Sequence, residues 1–201
     1  GLVAALDSAP APIVEEIKQA IPLEKQVVST ATAILKTKLN TIRMRIHGDY
    51  HLGQIMIMDE KYRICDFEGL PTMPLSERRL KRSPYRDLAT MVHSLHSAAH
   101  FSLLNKVKVQ ERDRQTLHPH AIQWATIMGE IFMQSYVEHV RDTGIVQPSP
   151  GEPEGLMLLY LLERALCDIE KALESNTNAL PVATRCLLHY LGGARVDAVR
   201  R

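Results

Sequence analysis

The chain has 201 residues, 45% hydrophobic and 23% charged, with 24 basic against 23 acidic residues and a formal charge of +1. At roughly 150 residues per domain this is one large domain or a domain with a helical extension, in the composition range of soluble globular proteins. The near-zero charge excludes a broad positive field for nucleic acid, and no apolar run approaches the ~20 residues of a membrane span, so neither partner is expected.

Cys65, Cys167 and Cys186 are an odd number at wide spacing. They read as buried thiols in a reducing, cytoplasmic compartment, not as a zinc site or a disulfide framework. The chain opens at Gly1 without a methionine and without the tripartite order of a signal peptide, which points to an excised segment.

Residues 12–40 carry two helical stripes, Ile13, Ile17 and Ile21, then Val27, Val28, Ala31, Ile34, Leu35 and Leu39, with Pro22 between them. Two helices are predicted. At Thr41 the period changes: Ile42, Met44 and Ile46 alternate with Arg43 and Arg45, as in a half-buried strand. Residues 54–58 and 62–65 are two short apolar runs separated by Asp59, Glu60 and Lys61, which reads as a hairpin. After a connection rich in proline and arginine, Ser83-Pro84 marks a helix start, with serine capping and proline in the first turn. That helix is expected over 84–104, another over 120–141 ending at Gly144, and two more over 156–173 and 182–191. Gly192-Gly193 reads as the last stop signal. The predicted fold class is mainly α with a small β-element.

The most informative stretch is HGDYHLGQ over residues 47–54, followed by Asp66-Phe67-Glu68-Gly69. A strand feeds a tight glycine-containing loop that bears one carboxylate, and a hairpin brings a second to the same edge. Phosphoryl transfer needs this set: a carboxylate to orient or deprotonate the attacking hydroxyl, and oxygen ligands that hold Mg²⁺ against nucleotide phosphates. Taken singly, Asp49 is a turn residue and Asp66 a strand-end acid; the joint spacing argues against that.

His47-Gly48-Asp49-x-His51 with the later Asp66 resembles the catalytic loop and metal-binding motif of the aminoglycoside-phosphotransferase-like kinases. The longer string, with Glu77-Arg78-Arg79-Leu80-Lys81-Arg82-Ser83-Pro84-Tyr85-Arg86-Asp87-Leu88-Ala89, resembles maltokinase, a family often fused to trehalose synthase. The resemblance covers residues 43–99 and is weaker at Leu162-Glu163-Arg164-Ala165 and Leu180-Pro181-Val182. It implies a protein-kinase-like C-terminal lobe, ATP and Mg²⁺ as cofactors, and a sugar as acceptor, maltose giving maltose 1-phosphate. Asp49 would be the catalytic base or hydroxyl-orienting residue. Asp66 and Gln54, a glutamine where most of the superfamily has asparagine, would hold the metal. Asp87 would anchor the loop through backbone amides, beside His47 and His51 as supporting residues.

The implied domain plan is a helical lead-in over 1–40, the strand, catalytic loop and metal-binding hairpin over 41–69, and a helical acceptor-binding region over 83–201. Residues 1–48 contain no glycine-rich turn, and Lys18, Lys25, Lys36 and Lys38 read as solvated. An N-terminal lobe would therefore lie outside this chain, which alone would be inactive and bind nucleotide weakly. A trehalose synthase domain is a further implied partner.

Two other acceptor or class readings stand beside this: a kinase of an aminoglycoside or another small alcohol, and a non-catalytic kinase-like module attached to a carbohydrate enzyme. A two-metal phosphoesterase reading of Asp49-Tyr50-His51 lacks the later histidine and aspartate clusters it needs. His93, His96 and His100 share a helical face but read as exposed or satisfied histidines, as do His118 and His120. Glu163 lies in a helix apolar on nearly every side and must have a partner, either an arginine or a sugar hydroxyl. Tyr160 and Trp124 are expected in the core.

Overall fold

The computed structural model describes residues 11–36, 41–70, 73–105, 110–145, 152–175 and 179–199. Leu39, Lys38 and the proline-rich residues 147–150 lie outside them. Among the described residues the chain is mostly helical, with one two-stranded sheet.

Helix α1 (Ala11–Ala20) and α2 (Glu24–Leu35) are separated by a 3₁₀ turn, Ile21–Leu23, that carries Pro22. The break falls there because proline has no N–H to continue the ladder. Ile17, fully buried, docks α1 against the two closing helices, α6 (Glu152–Glu174) and α7 (Leu180–Val199). The main core is Ile17, Leu162, Ala165, Ile169, Leu187 and Leu191. Leu162→Ala is expected to lower unfolding free energy by about 2–5 kcal/mol, since three helices meet around the lost atoms and cannot collapse together. Urea denaturation measures it, and a loss below about 1 kcal/mol would mean the site closes over.

Helix α4 (Tyr85–Asn105) packs against α5 (Glu111–Val140), α6 and α7. It is buried on nearly every side, through Leu88, Ala89, Leu95 and Ala99 and also through His93, His96 and His100. Of the two expectations for these histidines, exposed or satisfied, exposure is corrected, since the three are 2%, 4% and 2% exposed. His93 is satisfied, its ring nitrogens meeting Asp168 and Tyr190, whereas both ring nitrogens of His100 lack hydrogen-bond partners among the described residues. A central helix has no solvent face, so these rings point into neighbouring helices.

Strand β1 (Ile55–Met58) pairs antiparallel with β2 (Lys61–Ile64), Ile55 opposite Ile64 and Met58 opposite Lys61. The turn is two residues, Asp59 and Glu60, both at positive φ (50° and 59°), the twist-matched geometry of tight hairpins; Lys61 belongs to the strand. A short helix, α3 (Leu75–Arg78), leads back to α4.

Three other expectations are corrected. Residues 41–46 form no strand; Met44 makes one isolated bridge with Arg82, because no second extended segment runs beside them. Helix α5 begins at Glu111 and runs through Pro119. An interior proline costs about 3 kcal/mol, offset here by Ala125 against Leu95 and Ala99, and by Phe132, Met133 and Tyr136 around Tyr85 and Leu88. Gly192 and Gly193 do not stop α7, which continues to Val199. A glycine stop requires the left-handed conformation, which Gly144 adopts at φ 71° and these two do not. Among the described residues no helix is long and apolar enough to cross a membrane. Cys186 is buried, whereas Cys65 and Cys167 are half-buried.

Candidate functional site

The loop after residue 46 is fixed from three directions. The backbone N–H groups of His47 and Gly48 donate to the two carboxylate oxygens of Asp87, at 2.7 and 2.9 Å. Burial pushes the Asp87 carboxyl up, and these two amides pull against it. His47 Nε2–H donates to the Cys65 carbonyl at 2.7 Å, which ties the loop to the end of β2. Leu52 N–H donates to Ser94 Oγ of α4 at 3.2 Å.

Gly48 stands at φ +88°, and a Cβ there would lie 3.3 Å from the Gly69 Cα, so the loop and the residues after Asp66 touch through backbone alone. His51 caps the 3₁₀ turn Leu52–Gln54, its Nδ1 accepting from Gly53 N–H at 3.1 Å. Burial lowers the His51 imidazole pKa, with the Asp49 charge opposing.

Asp49 is 7% exposed. Its Oδ1 accepts from Arg164 Nη1 of α6 at 2.8 Å, and its Oδ2 has His51 Nε2 at 3.7 Å. Arg164 Nε in turn lies 3.1 Å from Asp168 Oδ1. Burial works against the guanidinium charge, but Asp168 and Asp49 more than restore it.

Asp66 is exposed and sits at φ 59°, a left-handed conformation uncommon outside glycine, asparagine and aspartate. Gln54 is half-buried, its Oε1 3.6 Å from Cys65 Sγ, one residue before Asp66. Among the described residues no three His, Cys, Asp or Glu side chains converge as a metal cage. Mg²⁺ asks for less, because it takes one or two carboxylates and fills its octahedron from water and phosphate oxygens. An exposed carboxylate at Asp66 suits that habit.

Glu163 has the arginine partner expected for it, accepting from Arg86 Nη2 at 2.9 Å, and its side chain is 41% exposed. It lines a shallow polar groove with Gly48, Arg86, Tyr160, Arg164 and Lys171. Tyr160 packs against the core cluster of Tyr85, Leu88 and Leu156, as expected, and also lines the groove, whereas Trp124, 48% exposed on α5, is not in the core. A larger cavity of about 370 Å³ between α4 and α7 is mostly apolar, with Asp168 its one acid.

Arg86, His93, Arg164 and Asp168 were not legible as site residues. The available signal was the arginine and aspartate four residues apart on an otherwise apolar helix, a pair that such a helix tolerates only when both charges are matched.

No protein-family model matches this chain. A curated glucosamine kinase from Streptacidiphilus jiangxiensis is 32% identical over 91 residues, 45% of this chain and 20% of that protein. Solved structures of glucosamine kinase resemble the fold with TM-scores of 0.74, for crystal form B, and 0.76, for crystal form A, each at 19% identity. A third, in complex with glucosamine, ADP and inorganic phosphate, has a TM-score of 0.75 at 20% identity. They cover 96–98% of this chain, which spans 44–46% of theirs. The likeness fixes the fold as that of the corresponding kinase portion, the α+β class expected for the chain.

Proposed function

We propose that this chain carries the catalytic loop of an ATP-dependent phosphotransferase whose acceptor is a sugar hydroxyl. The observation that carries the reading is the Asp49 carboxylate, buried on a loop clamped by Asp87 and with one oxygen held by Arg164, a residue that together with Gly48 also lines the polar groove. Asp49 orients the acceptor hydroxyl and takes its proton as the bond to the γ-phosphorus of ATP forms and the bond from that phosphorus to the bridging oxygen breaks, releasing ADP. Asp66 and the Gln54 oxygen hold Mg²⁺, which when bound neutralises charge on the nucleotide phosphates. His47, His51 and Asp87 keep the loop in shape, so the chemistry relies on positioning and charge, without a covalent enzyme intermediate.

Glu163 and Arg86 supply acceptor and donor groups for sugar hydroxyls in the groove. Maltose is the acceptor implied by the string over residues 47–54. Glucosamine is the second, favoured by the relatives' names and by a groove carboxylate available to an ammonium group. The matched solved proteins are more than twice this length, which supports a preceding lobe that completes the nucleotide site. The exposed apolar side chains Ile57 and Tyr62 of the hairpin, 70% and 77% accessible, suit coverage by that lobe. A fused trehalose synthase domain would go with the maltose reading.

The test is ADP release by the full-length protein with ATP and Mg²⁺ over maltose, glucosamine, glucose and an aminoglycoside. Acceptor-dependent release with one sugar is expected. Release with the aminoglycoside alone, or with none, sinks the sugar-kinase reading.

A further inference from the structure

A carboxylate that orients a hydroxyl needs one oxygen held and the other turned toward the acceptor. Asp49 has that asymmetry, with Oδ1 bound at 2.8 Å by Arg164 and Oδ2 3.7 Å from His51, beyond hydrogen-bond distance. The guanidinium is itself fixed from behind. Asp168 Oδ1, one turn further along α6, lies 3.1 Å from Arg164 Nε as an ion pair, without the alignment of a hydrogen bond. Asp168 Oδ2 accepts from His93 Nε2–H of α4 at 2.9 Å, and His93 Nδ1 meets the Tyr190 hydroxyl of α7 at 2.9 Å. That pairing assigns the proton of His93 to Nε2. His93 is 2% and Tyr190 5% exposed, so the far end of this polar chain is deep in the helical interior.

Stability is a poor reason for such a chain. Buried ion pairs are often matched or bettered by apolar residues of the same volume, because desolvation cancels much of their attraction. What the chain does provide is direction. A guanidinium is planar and its donors form a rigid fork, so the Asp168 charge held beside Nε keeps the whole group placed for the Nη1 bond to Asp49. A lysine has one nitrogen and cannot engage both acids this way. His93, packed among three helices, fixes the Asp168 carboxylate in turn.

We propose that Arg164 is the positioning residue that sets the orientation of the Asp49 carboxylate, with Asp168 and His93 holding Arg164 for that task. This rests on the reading of Asp49 as the hydroxyl-orienting acid. Arg164 acts through Asp49, so its loss lowers turnover and leaves substrate affinity nearly unchanged. Asp168 and His93 act at one and two removes, with progressively smaller effects.

Steady-state kinetics of the full-length protein test it with Arg164→Lys, Asp168→Asn and His93→Gln. With the wild-type protein active, Arg164→Lys and Asp168→Asn should each lower kcat about 10- to 100-fold, the scale of a misplacement near 1 Å. His93→Gln should lower it less, and KM for ATP and sugar should stay within about twofold throughout. A raised KM at unchanged kcat would make Arg164 an acceptor contact and overturn the proposal, as would unchanged kinetics. The second measurement needs no turnover: the Arg164 Nε–H resonance, followed by NMR, should shift in Asp168→Asn, which removes the neighbouring charge, and in Asp49→Asn, which changes the group that Nη1 holds. An Nε–H signal indifferent to both changes overturns the positioning chain even in an active enzyme. Conversely, responsive NMR in a protein inactive on every acceptor would overturn the phosphotransfer reading and the catalytic purpose assigned to Arg164.

Discussion

Asp49→Asn in the full-length protein is expected to lower kcat by about 10²- to 10⁴-fold, the range of a lost general base. The substitution keeps the shape of the side chain, and Arg164 retains Asp168 at 3.1 Å, so no unmatched charge is left in the interior. Folding should therefore survive, with a melting curve near that of the wild type. KM for ATP should change little, because the proposed metal ligands Asp66 and Gln54 are untouched. Turnover within tenfold of the wild type would remove Asp49 from the chemistry and favour a non-catalytic module, whose binding role an amide at this position would leave intact.

The second large effect is on acid stability. His96 and His100 of α4 are buried, and their rings pack against His189 and His118, at centroid distances of 4.6 and 5.4 Å. Burial lowers His96 to about 4, helped by the charges of His189 and His93. It lowers His100 to about 3, helped by His118, Arg185, His189 and His96. Burial also lowers His118 and His189. Each folded-state pKa lies below the unfolded value of 6.5, so between these limits the unfolded chain binds more protons. The associated stability is complete above pH 6.5 and is lost as pH falls toward 3 to 4. At about 1.4 kcal/mol per pKa unit this amounts to several kcal/mol, a large share of a typical 5–15 kcal/mol.

Hydrogen exchange of the α4 amides from pH 7 to 4.5, corrected for intrinsic rates, should show protection falling steeply below pH 6. His100→Leu should flatten that profile and leave stability at pH 7 equal or higher. Both ring nitrogens of His100 lack hydrogen-bond partners among the described residues, and an apolar side chain removes that penalty. A profile as steep in the variant as in the wild type would place the acid sensitivity elsewhere.

Short-range signals in this chain were reliable where a local device sets the backbone. Pro22 breaks the first two helices, Ser83-Pro84 opens α4, and Gly144 closes the 3₁₀ turn after α5. The hairpin over 55–64 was legible from its two apolar runs. Signals that depend on a neighbour were not: residues 41–46 alternate like a strand but find only Arg82, and Pro119 sits inside a helix held by packing. Gly192 and Gly193 permit a stop, but the backbone there stays helical.

The same division runs through the candidate site. The loop carboxylate and the second acid after the hairpin are close in sequence and readable from glycine placement and residue spacing, whereas the anchoring role of Asp87 was implied only by the resemblance of residues 77–89 to the kinase family. Arg164, which holds Asp49, comes from 115 residues away, and Asp168 and His93 reach Asp49 only through it, on helices whose patterns describe an ordinary apolar interior. Arg164, Asp168 and His93 are individually unremarked in a helical wheel. A charge inside such a wheel announces only that it must be matched; which group matches it is decided when α4, α6 and α7 pack, because a hydrogen bond forms only within about 3 Å and sequence separation does not encode that distance.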